Sequence, residues 1–128
     1  MKDSLKDYIL YCIERAKETY KDAEILAEKK RWNSAINRLY YAAFYAVIAL
    51  LLKEGINSRT HRGAKNAFNQ YFVKTGAISQ EYGRLYSQLF TWRQKGDYDD
   101  LFNFTEESVK SFFIPVQRLI TKIETILS

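Results

Sequence analysis

The sequence predicts an all-α fold, a four- to five-helix up-and-down bundle built as a single domain over residues 1–128. Three observations carry that reading. Apolar residues recur at spacings of three and four in five separate segments, the signature of helices with one buried face. Only 5 Gly and 1 Pro occur in the whole chain, too few for the turns of a β-sandwich or for a long linker. The connections between the periodic segments are short, which favours neighbouring antiparallel helices around one core. A chain of this length buries about two thirds of the surface it exposes when unfolded, so it needs no disulfide or metal to hold it.

The first helix is expected over residues 3–29, with Asp3 or Ser4 accepting from free backbone N–H groups at its start. Leu5, Tyr8, Ile9, Cys12, Ala16, Tyr20, Ala23 and Ala27 mark its apolar stripe. A second helix is expected over residues 33–54, capped by Asn33 or Ser34. From Leu39 to Leu52 it runs 14 residues without a formal charge, between Arg38 and Lys53. That run is too short to cross a bilayer and fits a core helix, so no membrane is expected. A helix apolar all round needs cover on more than one side, and in so short a chain a second subunit would supply part of it. Ala35, Ala42, Ala46 and Ala49 offer a stripe of small residues, and Gly55 ends the helix.

A third helix is expected from Arg59 to Lys74, capped by Ser58, with His61, Ala64, Phe68, Tyr71 and Phe72 on one face. A fourth runs from Ser79 to Gly96, with Tyr82, Leu85, Tyr86 and Leu89 as its stripe. A fifth runs from Glu106 to Leu127, capped by Thr105, with Glu106 and Glu107 at the positive end of its dipole. Pro115 should kink it or split it near Ile114.

The formal charge of +5 is unevenly placed. Residues 31–78 hold 7 basic groups against Glu54 alone, whereas the rest of the chain is close to neutral. A basic middle segment could attract phosphate, or could simply be a solvated face. Cys12 is the only cysteine and His61 the only histidine, so neither a disulfide nor a zinc site is expected. No metal and no cofactor is implied. The start of the chain, from Met1 to Asp7, lacks the apolar run of a signal peptide, and a reducing cytoplasm is the expected setting.

Several residues do not fit a bland bundle. Arg93 continues the apolar stripe of the fourth helix, and a guanidinium there must be paired or must line a cleft. It either pairs with an acid such as Asp97 or forms a bidentate fork for phosphate. A turn at Gly96 would bring Asp97 and Tyr98 back towards Arg93. Asp97, Asp99 and Asp100 lack the glycine and distal glutamate of a calcium loop. Arg38 shares a helix face with Tyr41 and Tyr45, and His61, Arg62 and Gly63 occupy a first turn whose dipole favours an anion.

Together, the run from Ala35 to Phe44, then Thr60-His61-Arg62-Gly63, then Arg93 to Tyr98, resembles a small stand-alone HEPN-domain protein over almost the whole chain. The resemblance implies a four- or five-helix bundle similar to the helical domain of kanamycin nucleotidyltransferase. It also implies homodimers, and pairing with a separate minimal nucleotidyltransferase protein, as in toxin–antitoxin modules. Active HEPN ribonucleases carry an Arg followed four to six residues later by a His. Arg93 matches the Arg, while Tyr98 stands at the His position. A tyrosine at its ordinary pKa of about 10 is mostly protonated near neutrality and a poor base, though it can donate to phosphate or stack on a base. The leading expectation is therefore nucleotide or RNA phosphate binding through Arg93, Tyr98, Arg38, Tyr41, His61, Arg62 and Asp97. The alternatives are a metal-independent RNA endonuclease toxin using Arg93 and Tyr98, and a non-enzymatic dimeric interaction module with Arg93 and Asp97 as a structural pair.

Overall fold

The computed structural model describes residues 2–98 and 103–128, and the side chains of residues 4–95 and 103–128. Six α-helices and no strand occur among the described residues. Helix α1 spans Lys2–Glu28, so Asp3 and Ser4 lie inside it instead of capping it. It ends with the Lys30 N–H on the Ala27 carbonyl at 3.0 Å and the Arg31 N–H on the Leu26 carbonyl at 2.9 Å. This doubly bonded stop needs a left-handed residue, and Lys30 takes that role at φ 59°.

Helix α2 spans Trp32–Lys53 with Arg31 at its cap position and no side-chain cap. Asn33 was expected to cap it. Its Oδ1 instead accepts from the distant Phe104 N–H at 3.0 Å, tying the chain just ahead of Thr105 to the start of α2. At the other end, Ile56 N–H donates to the Leu51 carbonyl and Gly55 N–H to the Leu52 carbonyl. Gly55, at φ +73°, makes this stop without strain.

Helix α3 spans His61–Phe68 and is capped by Thr60, whose Oγ1 accepts from Gly63 N–H at 2.8 Å. The expected cap, Ser58, instead donates to the Thr60 carbonyl. The helix then widens into one π-helical turn at Asn69–Val73. Helix α4, Gln80–Tyr98, crosses that turn closely. A Cβ at Gly83 would fall 2.9 Å from Asn69 Oδ1 and 3.1 Å from the Val73 methyls, so a side chain there would displace both neighbours.

Helix α4 continues through Gly96, where a stop was expected, to Tyr98. A glycine weakens a helix by about 1 kcal/mol but does not end it unless the chain turns left-handed there. The side chains of Asp97 and Tyr98, and all of Asp99 and Asp100, lie outside the described residues.

The expected fifth helix is two. Helix α5 covers Glu106–Lys110 and α6 covers Phe113–Leu127. Thr105 Oγ1 accepts from Ser108 N–H at 3.1 Å, as a cap should. The break falls at Ser111–Phe112, slightly before the expected Ile114, because Pro115 cannot donate to the Ser111 carbonyl and its ring crowds it. Pro115 itself sits in the first turn of α6, where no N–H is needed.

Helix α2 touches each of the other five helices, α1 most extensively. Ala16 and Ala23 of α1 and Ala42, Ala46 and Ala49 of α2 are fully buried, and small residues on both sides let helices approach closely. Trp32–Lys53 is long and apolar enough to span a membrane by length and composition, yet most of it is buried inside the bundle. Cover along α2 is incomplete on one side. Tyr41, Phe44, Tyr45, Ile48 and Leu52 are only half-buried. On α1, Arg15 lies over the Tyr45 ring at 5.3 Å, and one and two turns back along the same face Tyr11 and Tyr8 are 56% and 53% exposed.

Candidate functional site

The half-buried edge of α2 leads to an aromatic cluster in which the basic residues meet. Tyr40 is its centre. Its ring stacks at 5.9 Å on Tyr86 of α4, and meets Phe44, Phe90, Tyr41 and His61 within 6.3 Å. Helical spacing places Tyr40, Tyr41 and Phe44 on adjoining strips of α2, while the Thr60 cap fixes where α3 delivers His61.

Arg93 is buried, at 8% exposure, as its place in the α4 stripe implied. Its guanidinium lies 5.1 Å from the Tyr40 ring centroid and 5.8 Å from that of Tyr41. Arg38 covers the same Tyr41 ring at 5.0 Å, and donates from Nε and Nη2 to Asn37 Oδ1. Two guanidiniums thus share one ring, an arrangement whose mutual repulsion an anion would relieve.

His61 joins the same cluster, 4.5 Å from Phe44 and 5.6 Å from Tyr41 between ring centroids. Its Nδ1 shares a 2.9 Å hydrogen bond with the Tyr40 hydroxyl. A neutral imidazole can accept or donate in that bond, whereas a protonated one can only donate. Burial holds His61 below its ordinary pKa, and the charge of Arg93 pushes the same way. Burial pushes Tyr40 up to about 12, against smaller downward pulls from Tyr86 and Arg93. Burial also raises Tyr86, whose hydroxyl lies beside that of Tyr40 without a well-aligned hydrogen bond. All three shifts favour the uncharged forms of His61, Tyr40 and Tyr86.

Arg62 and Lys65 extend this surface along α3. The Arg62 guanidinium lies 5.7 Å from the Phe90 centroid and the Lys65 ammonium 4.7 Å from it. Of the residues expected to form a site, Arg38, Tyr41, His61 and Arg93 come together directly, and Arg62 adjoins them across Phe90. Asp97 and Tyr98 lie outside the described side chains. Tyr40, Phe44, Lys65 and Phe90 belong to the cluster without having been singled out in sequence. The available signal was Tyr40 itself, a hydroxyl in the middle of an uncharged run, since a buried tyrosine O–H usually finds a partner.

The family model described as HEPN domain matches residues 9–126. A Thermotoga maritima protein named "UPF0332 protein" is 42% identical over 119 residues, covering 93% of this chain and 90% of its own length. A Methanocaldococcus jannaschii protein named "Putative toxin MJ0605" is 34% identical over 123 residues, covering 96% of this chain and 91% of its own. Another from the same organism, named "Putative toxin MJ0142", is 32% identical over 98 residues, covering 77% and 67%.

Proposed function

The chain belongs to the HEPN family, and from that premise we propose that it is a toxin-like, cytoplasmic HEPN protein whose aromatic–arginine cluster binds nucleotide or RNA phosphate. It would act as a homodimer beside a nucleotidyltransferase partner, in a toxin–antitoxin module. The observation that carries the binding reading is the buried Arg93 sharing the Tyr41 ring with Arg38. Guanidiniums fork planar oxyanions, and aromatic rings beside them suit stacked bases. The toxin element rests on relatives bearing that name, and the dimer on the half-covered edge of α2.

Arg93→Ala is expected to abolish binding of a short RNA or a nucleotide in calorimetry while far-UV circular dichroism keeps its helical form. Unchanged binding in that variant overturns the reading. Arg93→Lys, which keeps the charge and loses the fork, should weaken binding by about tenfold, an effect separate from any loss of folding.

A metal-independent endonuclease is favoured as a second reading by one feature. His61 sits in the same cluster as Arg93, is held neutral near pH 7, and offers Nε2 while Nδ1 is engaged by Tyr40. With the ring proton on Nδ1 and donated to Tyr40, Nε2 is free to take a proton, the role the sequence left to His61 should the fold bring it to Arg93. The Arg93 variants serve here too: metal-free cleavage of RNA on a gel should vanish in both Arg93→Ala and His61→Asn, and cleavage persisting in either removes this mechanism.

A further inference from the structure

A second face of α4 carries a separate set of groups. Glu81, Arg84, Leu85, Gln88 and Trp92 recur at spacings of three and four along it. They form one wall of a groove of about 360 Å³ whose other wall is the corner where Pro115 parts α5 from α6. Phe112 and Arg118 stand on that opposite wall.

The floor is rigid and aromatic. Trp92 is half-buried and clamped by Phe104 at 5.1 Å, nearly parallel, and by Phe112 at 5.1 Å, edge-on. The rim is cationic. Arg84 and Arg118 are exposed, and neither makes an ion pair or hydrogen bond among the described residues. Glu81 precedes Arg84 by three residues, a spacing that commonly pairs on a helix, yet the two are not paired here. Two guanidiniums on facing walls of so small a groove repel one another, and an anion held between them turns that repulsion into attraction.

We propose that this groove binds a flat aromatic ring carrying a phosphate, of mononucleotide size, with the ring on Trp92 and the phosphate between Arg84 and Arg118. Gln88 presents an amide that can hydrogen-bond the ring edge. The volume lies near the lower end of ligand pockets, which suits one ring and one phosphate and not a polymer. The residues are distinct from those of the Arg93 cluster, so this site stands or falls without it.

Trp32→Phe leaves Trp92 as the sole tryptophan and its fluorescence as the readout. Adenosine monophosphate, phenyl phosphate, adenosine and inorganic phosphate are titrated in turn. The two aryl phosphates should quench saturably, with adenosine and inorganic phosphate each weaker by about tenfold or more. A preference for adenosine monophosphate over phenyl phosphate assigns the ring to a nucleobase, and equal affinity assigns the site to aryl phosphates at large. Replacing Arg84 and Arg118 together by Ala should lower affinity by about tenfold or more. Glu81→Gln should raise it a few-fold by removing the one acid in the groove, and Arg93→Ala should leave it in place. Aryl phosphates binding no better than inorganic phosphate, or a folded double variant binding like its parent, overturns the proposal.

Discussion

His61 shows how one residue links fold and chemistry. Its folded pKa lies below the ordinary 6.5, so between those two values the unfolded chain binds more protons than the folded one. Stability contributed by the neutral imidazole is therefore present above about pH 6.5 and is lost as the pH falls towards the folded value. Urea midpoints should drop between pH 7 and pH 5, and His61→Asn should lessen that drop by removing the titrating ring. An equal drop in both proteins contradicts a neutral His61. The sequence marked Arg93 as core-facing because it continued the Tyr82, Tyr86, Leu89 stripe, and burial followed. It could not show that Tyr40 would bond His61, because that contact joins residues 21 apart through the angle between two helices.

Among the helical elements, periodicity located each segment, while ends proved harder to read. Thr105 capped where expected because a hydroxyl three residues before a free N–H satisfies it locally. Asn33 did not, since its side chain found the Phe104 N–H, 71 residues further along the chain. Gly96 stayed helical, and Pro115 opened the ladder one turn upstream of itself. The α1 terminus holds an unused gain. Lys30 occupies the left-handed position that Gly55 fills at the end of α2. Lys30→Gly should relieve the crowding of its Cβ and raise stability by about 1 kcal/mol, read as a higher thermal midpoint. A fall in midpoint would mean that the lysine's backbone rigidity outweighs its strain.

At the scale of the molecule, the uncharged run of α2 suggested cover from a second subunit, and the fold supplies most of that cover from its own five other helices. What remains is the strip from Tyr41 to Leu52 with Tyr8 and Tyr11 beside it. If that strip is the dimer interface, sedimentation at micromolar concentration should give a dimer, and Tyr8→Lys with Tyr11→Lys should give a monomer. A wild-type monomer refutes the assembly. The bundle architecture was legible because it follows from periodicity, whereas the shared Tyr41 ring depends on how helices rotate about their axes, which no local pattern encodes. The central placement of α2 also governs how the protein comes apart. Every other helix leans on it, so its backbone amides can meet solvent only when the whole bundle opens. Deuterium exchange at Ala42–Leu51 should therefore be the slowest in the chain, with a free energy equal to that of global unfolding, and faster exchange there would reveal a helix that slips out on its own.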